Sequence, residues 1–130
     1  MASETVKLKF LHICDEVILS VNGKISLINL FQFINSKEFP AIHSKFTVIT
    51  HIKGYVSKYS ETIEIISPSG EIVANVSGDA EIKNEEGGNN FIADFINIQL
   101  PLEGKYWIKV SIDGNILSNK DEHFFLAKKT

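Results

Sequence analysis

Apolar and polar residues alternate with a period of two along most of this chain, and turn residues punctuate the alternation at short intervals. Val6, Leu8 and Phe10 alternate with Lys7 and Lys9, then pass into the continuous apolar run Leu11 to Cys14. That pattern predicts a first strand with one wet face. Asn22-Gly23 separates two β-prone arms, Val17 to Val21 and Lys24 to Ile34, and suits a two-residue type I′ turn, whose central residues both need positive φ. In the second arm Ile25, Leu27, Phe31 and Phe33 fall on one face and Ile28, Leu30 and Ile34 on the other. This predicts a central strand covered on both sides, or one that bulges midway. Phe39-Pro40 closes the unit, because proline cannot donate to a central ladder.

Phe46, Val48 and Ile52 alternate with Thr47, Ile49, His51 and Lys53, predicting a third long strand that ends at Gly54 and turns a polar face outward. Ile63 and Ile65 alternate with Thr62 and Glu64, and Pro68-Ser69-Gly70 turns the chain into Ile72, Ala74 and Val76 as a second hairpin. Asn84 to Asn90, NEEGGNN, reads as a loop that cannot bury apolar area. Phe91 to Leu100 is a further strand, and after the turn Pro101 to Gly104 comes another, with Tyr106, Ile108, Val110 and Ile112 on one face and Lys105, Trp107 and Lys109 on the other. Asp113-Gly114-Asn115 is a third turn, and Phe124 to Ala127 a closing strand. Short strands at this spacing predict an all-β fold, an antiparallel β-sandwich forming a single domain over residues 1–130.

Composition agrees with one ordinary globular domain: 130 residues, 44% hydrophobic and 22% charged. The net charge is −3 and every one of the 13 basic residues is lysine. Scattered lysines without arginine argue against nucleic acid, whose phosphates and base edges call for clustered Lys and Arg. Asp15 and Glu16 break the one apolar run near the start, and no segment reaches the about 20 apolar residues of a membrane span, so neither a leader nor a membrane partner is expected. A lone cysteine, Cys14, cannot form an internal disulfide, which fits the cytoplasm.

Two resemblances follow from the residues themselves. Gly104-x-Tyr106 before an alternating strand, then Asp113-Gly114, resembles the late strands of immunoglobulin-like sandwiches, although the paired cysteines and central tryptophan of antibody domains are missing. Phe10-Leu11, Cys14-Asp15-Glu16, Asn22-Gly23-Lys24-x-Ser26-Leu27-Ile28 and Phe39-Pro40 are similar to the signature of a family of small, uncharacterised bacterial intracellular proteins of unknown function. The second resemblance implies a bacterial cytosolic β-sandwich and carries over no catalytic residue.

Candidate chemistry is sparse. The histidines, His12, His43, His51 and His123, show no spacing that sets two imidazoles on one face of an element, so no metal is expected. His12, Cys14 and Asp15 superficially suggest a nucleophile, a base and an orienter, but two strand residues on one face lie too far apart for a direct hydrogen bond. Cys14 among Leu11, Ile13 and Val17 reads as a small buried hydrophobe, and Asp15-Glu16 as a corner or edge device. Gly87-Gly88 has no helix after it, so nucleotide cofactors are not expected. The sequence therefore favours a non-enzymatic protein-interaction module for an unknown partner or a second copy. A small-ligand or carbohydrate-binding sandwich is the alternative, and a hydrolase with a dispersed site a third. If Tyr106, Ile108 and Val110 fill the core, Trp107 lies outside with Lys105 and Lys109 as the candidate interaction site, unless a loop such as Asn84 to Asn90 covers its ring.

Overall fold

In the computed structural model, which describes residues 6–130, the alternating segments form strands throughout and no helix appears among the described residues. The strands are β1 (Lys7–Leu19), β2 (Ile25–Leu30), β3 (Phe33–Ser36), β4 (Ala41–Lys53), β5 (Ser57–Ile66), β6 (Ile72–Ile82), β7 (Asn89–Leu100), β8 (Gly104–Ile112), β9 (Asn115–Ile116) and β10 (Phe124–Lys129). They pair into two sheets, one in the order β2-β1-β4-β7 and the other β3-β10-β8-β5-β6 with β9 beside β8. The fold is an all-β sandwich. Every pairing is antiparallel except that of β10 with β3, which is parallel.

Alternation places one residue in two between the sheets, where Ile13, Phe46, Val48, Ile63, Ile65, Phe95, Tyr106, Ile108 and Phe125 form the main core. A smaller cluster of Val6, Ile52, Tyr59, Ile82 and Ile112 fills one end. Two tyrosines at strand starts turn their hydroxyls back to the chain four residues upstream: Tyr59 Oη donates to Tyr55 O at 2.7 Å and Tyr106 Oη to Leu102 O at 2.7 Å. A tyrosine of this kind is the corner device of immunoglobulin-like sandwiches, and it satisfies a phenol that is otherwise buried.

Several local expectations need correction. The Asn22-Gly23 hairpin forms, but Gly23 alone has positive φ, and Gly23 N donates to Ser20 O at 3.0 Å while Ser20 N donates to Lys24 O at 2.9 Å. This is a type I turn closed by a glycine bulge. The type I′ geometry occurs instead at Asp113 (φ 49) and Gly114 (φ 85), where Ile112 and Asn115 pair across a two-residue turn. The arm Lys24 to Ile34 is not one strand. It breaks at Phe31-Gln32, so β2 is the edge of one sheet and β3 the edge of the other, and the two apolar faces seen in sequence belong to different layers. Asp15-Glu16 makes no corner either, for β1 runs straight through it. The pair does mark the point beyond Cys14 where β1 loses β4 as a neighbour and keeps only β2, leaving an open edge that charge protects from foreign strands.

The outer face of β4 is less polar than expected, because Thr47 and Ile49 are as buried as Phe46 and Val48 on the inner face. Thr47 Oγ1 is satisfied by Asp94 at 2.7 Å. Asn89 and Asn90 belong to β7 rather than to the preceding loop, and Asn84–Gly88 packs so closely on β4 that a Cβ on Gly88 would stand 2.3 Å from Ile52 O.

Candidate functional site

Strand β8 divides its side chains as its alternation demands. Tyr106, Ile108, Val110 and Ile112 are fully buried between the sheets, and Lys105, Trp107 and Lys109 stand on the outer face of the second sheet. Cross-strand pairing sets Ile66 of β5 and Phe124 of β10 on either side of Trp107. The indole is half-buried, and what lies over it is cationic. Lys109 Nζ sits 5.7 Å and Lys120 Nζ 5.1 Å from its ring centroid, within cation–π range. Lys105 Nζ lies 4.5 Å from the Phe124 ring and 3.5 Å from Asp121, and Lys109 lies 3.6 Å from Glu64.

The candidate trio is thus brought together on one face, and the chain adds Lys120 to it. Lys120 was not visible from β8, since it arrives on the turn Asn119–Glu122, held by His123 N donating to Asn119 O at 2.8 Å and Asn119 N donating to His123 Nδ1 at 2.8 Å. The loop Asn84–Gly88, weighed as a lid for Trp107, packs instead against His51 and Lys53 of the first sheet. Trp107 Nε1 is buried without a hydrogen-bond partner among the described residues. Beside the ring opens a cavity of about 260 Å³ between the Ser67–Gly70 turn, Lys105 and Lys120.

On the other sheet, pairing places Phe10, Cys14, Ile28, Leu30, Ile49 and Ile96 on one outer face. Leu30 is 58% and Ile96 67% exposed, with Phe10 and Ile28 partly so. Strand pairing also does what sequence spacing did not: it sets His12 and His51 on this face either side of Phe10, with ring centroids 5.1 and 5.3 Å from the phenyl. His51 Nδ1 is 2.6 Å from Asn90 Oδ1. His43 lies apart, tilted against Phe31 and Phe46. Among the described residues no three His, Cys, Asp or Glu side chains converge as a metal site. Cys14 is fully buried, its Sγ 3.4 Å from Glu16 O, and burial pushes its thiol pKa up, away from a reactive thiolate.

One buried charge escaped sequence reading altogether. Glu61 in β5 lies fully buried between the sheets, where burial pushes its carboxyl up to about 7 against the opposing pull of a hydrogen bond from Thr50 Oγ1 to Oε2 at 2.6 Å. Its Oε1 has no hydrogen-bond partner among the described residues.

A family model described as "Family of unknown function (DUF6941)" matches residues 9–121. No curated protein matches the chain. Among solved structures, an immunoglobulin-like protein from Pseudomonas aeruginosa, determined at 1.50 Å, is 13% identical with a TM-score of 0.44, the match covering 98% of this chain and 99% of that one.

Proposed function

The chain belongs to this family of unknown function, and from that premise we propose that it is a non-enzymatic protein-interaction module of the bacterial cytoplasm. Its partner docks on the outer face of the four-stranded sheet. The observation that carries the reading is the exposure of Phe10, Ile28, Leu30 and Ile96 on that face, interleaved with His12, Glu16, Lys45 and His51, since apolar side chains rimmed by polar ones mark a contact site. The partner is a protein, another chain or a second copy, rather than nucleic acid or membrane. The single buried thiol supports a reducing compartment, and its raised pKa supports a non-catalytic role.

The test compares affinity capture from the native host by the wild-type chain and by an Ile28→Lys/Leu30→Lys double variant, with sedimentation velocity on each to detect self-association. A protein retained by the wild type and lost by a folded double variant supports the face, as does a dimer dissolved by the same changes. Equal capture by both, with both monomeric, removes this face as the docking surface.

A further inference from the structure

The cationic and aromatic cluster on the opposite sheet has no part in that docking face. We propose that the cavity beside Trp107 binds a small anion, a phosphate or carboxylate group, held by Lys120 and Lys105 and by the indole Nε1–H. Three observations lead there independently. In a chain of net charge −3, Lys105, Lys109 and Lys120 gather around one indole, and Lys120 makes no ion pair among the described residues. Lys105 and Lys109 are matched by Asp121 and Glu64, so Lys120 is the charge left to draw an anion in.

The indole N–H is the second. Among the described residues it has no acceptor, and native structures rarely leave a buried donor so unless a water or ligand completes it. Reaching the N–H requires side chains around the ring to move, and Lys109 and Lys120, with Nζ 5.7 and 5.1 Å from the ring centroid, ride on long flexible stems that can shift and then pair with an anionic oxygen. The third observation is size: about 260 Å³ suits a phosphate or a small organic acid rather than a folded segment.

The acidic groups around the cluster set its selectivity. Glu64 holds Lys109, and Glu71 lies by the Ser67–Gly70 turn, 3.4 Å from Ser69 Oγ. Asp121, with its side chain 88% exposed, is the weakest-held of them and pairs with Lys105 at 3.5 Å. It occupies the cation a ligand needs, so an incoming anion competes with it.

Trp107 is the only tryptophan, which makes its emission and its indole amide resonance report this site alone. Titrations use inorganic phosphate, succinate and sodium chloride at matched ionic strength. The expected result is a saturable change in emission and a downfield shift of the indole N–H resonance with phosphate or succinate, and neither with chloride; whichever binds more tightly decides the source of the charge. Lys120→Gln weakens binding about fivefold, the upper end for an exposed ion pair, and Asp121→Asn tightens it. Lys7→Gln, in a separate lysine cluster beside Tyr55, leaves it unchanged. A response equal to that of chloride, or a folded Lys120→Gln protein titrating like the wild type, overturns the proposal.

Discussion

Glu61→Gln should stabilise this protein at alkaline pH and not at acidic pH. The carboxyl is raised from 4.5 to about 7 in the folded chain, chiefly because burial excludes water from its charged form. Below the unfolded value the acid is protonated in both states, and the folded state carries no penalty. Between 4.5 and about 7 the unfolded chain releases the proton while the folded chain keeps it, so the unfolded state binds fewer protons and stability falls as pH rises. Above about 7 the loss is complete. A shift of that size corresponds to about 3 kcal/mol, and to roughly 10 °C in midpoint for a domain of this length. Glutamine keeps the volume and an oxygen for the Thr50 hydroxyl but cannot ionise. The assay is urea unfolding of both proteins at about pH 5 and about pH 8, within the window the linkage defines. The quantity to read is the difference between them: wild type should fall relative to Glu61→Gln by about 2–3 kcal/mol across that interval, since part of the loss is already present at about pH 5. A difference that stays flat with pH would refute the account, whatever the absolute stabilities.

Other outcomes follow from the core and the backbone. Phe46→Ala should cost about 3–5 kcal/mol by urea unfolding, because the ring is fully buried and packs on Phe31, Phe95 and Phe125. Gly88→Ala should destabilise more than Gly23→Ala: both have positive φ, worth about 1–2 kcal/mol, but only the Gly88 Cβ would run into backbone, whereas Gly23 faces open space. Thermal melts of the pair check the order. Cys14 should react with a thiol reagent slowly in the native state and rapidly in denaturant, since burial both hides the sulfur and raises its pKa. Prompt native labelling would contradict its placement.

Strand positions were legible because burial selects one residue in two, and the signal is local. The Tyr106, Ile108 and Val110 set inward and Trp107 outward could be read from β8 alone. Turn type was not, because Asn-Gly permits both type I′ and the glycine bulge, and the choice depends on how the flanking strands twist rather than on the pair itself. The arm Lys24 to Ile34 was misread for a related reason. Its doubled apolar pattern is equally that of a buried central strand and of two edge strands in facing sheets, and only the break at Phe31-Gln32 distinguishes them. Lys120, which escaped notice, and His51, named but not placed beside Phe10, reach their partners through chain reversal and strand pairing, which no local spacing records. Glu61 was hidden by its context: alternation with Ile63 and Ile65 puts it on the inward face, but a lone glutamate at a strand's edge of pattern reads as an exposed one.

The parallel pairing of β10 with β3 bears on when this chain can fold. β10 lies between β3 and β8 in the second sheet and delivers Phe125 and Ala127 to the core, yet it follows every other strand of the described residues in the order of synthesis. On the ribosome β3 therefore waits, without its sheet neighbour, while the residues from Ser36 to Phe124 emerge. Joining the two closes a loop that spans most of the sequence, the kind of distant contact that slows folding to milliseconds or seconds and lengthens the exposure of half-made sheets. The nascent protein thus spends its most aggregation-prone interval with the β3 and β8 edges open, and its dependence on chaperones should be greatest just before β10 is released.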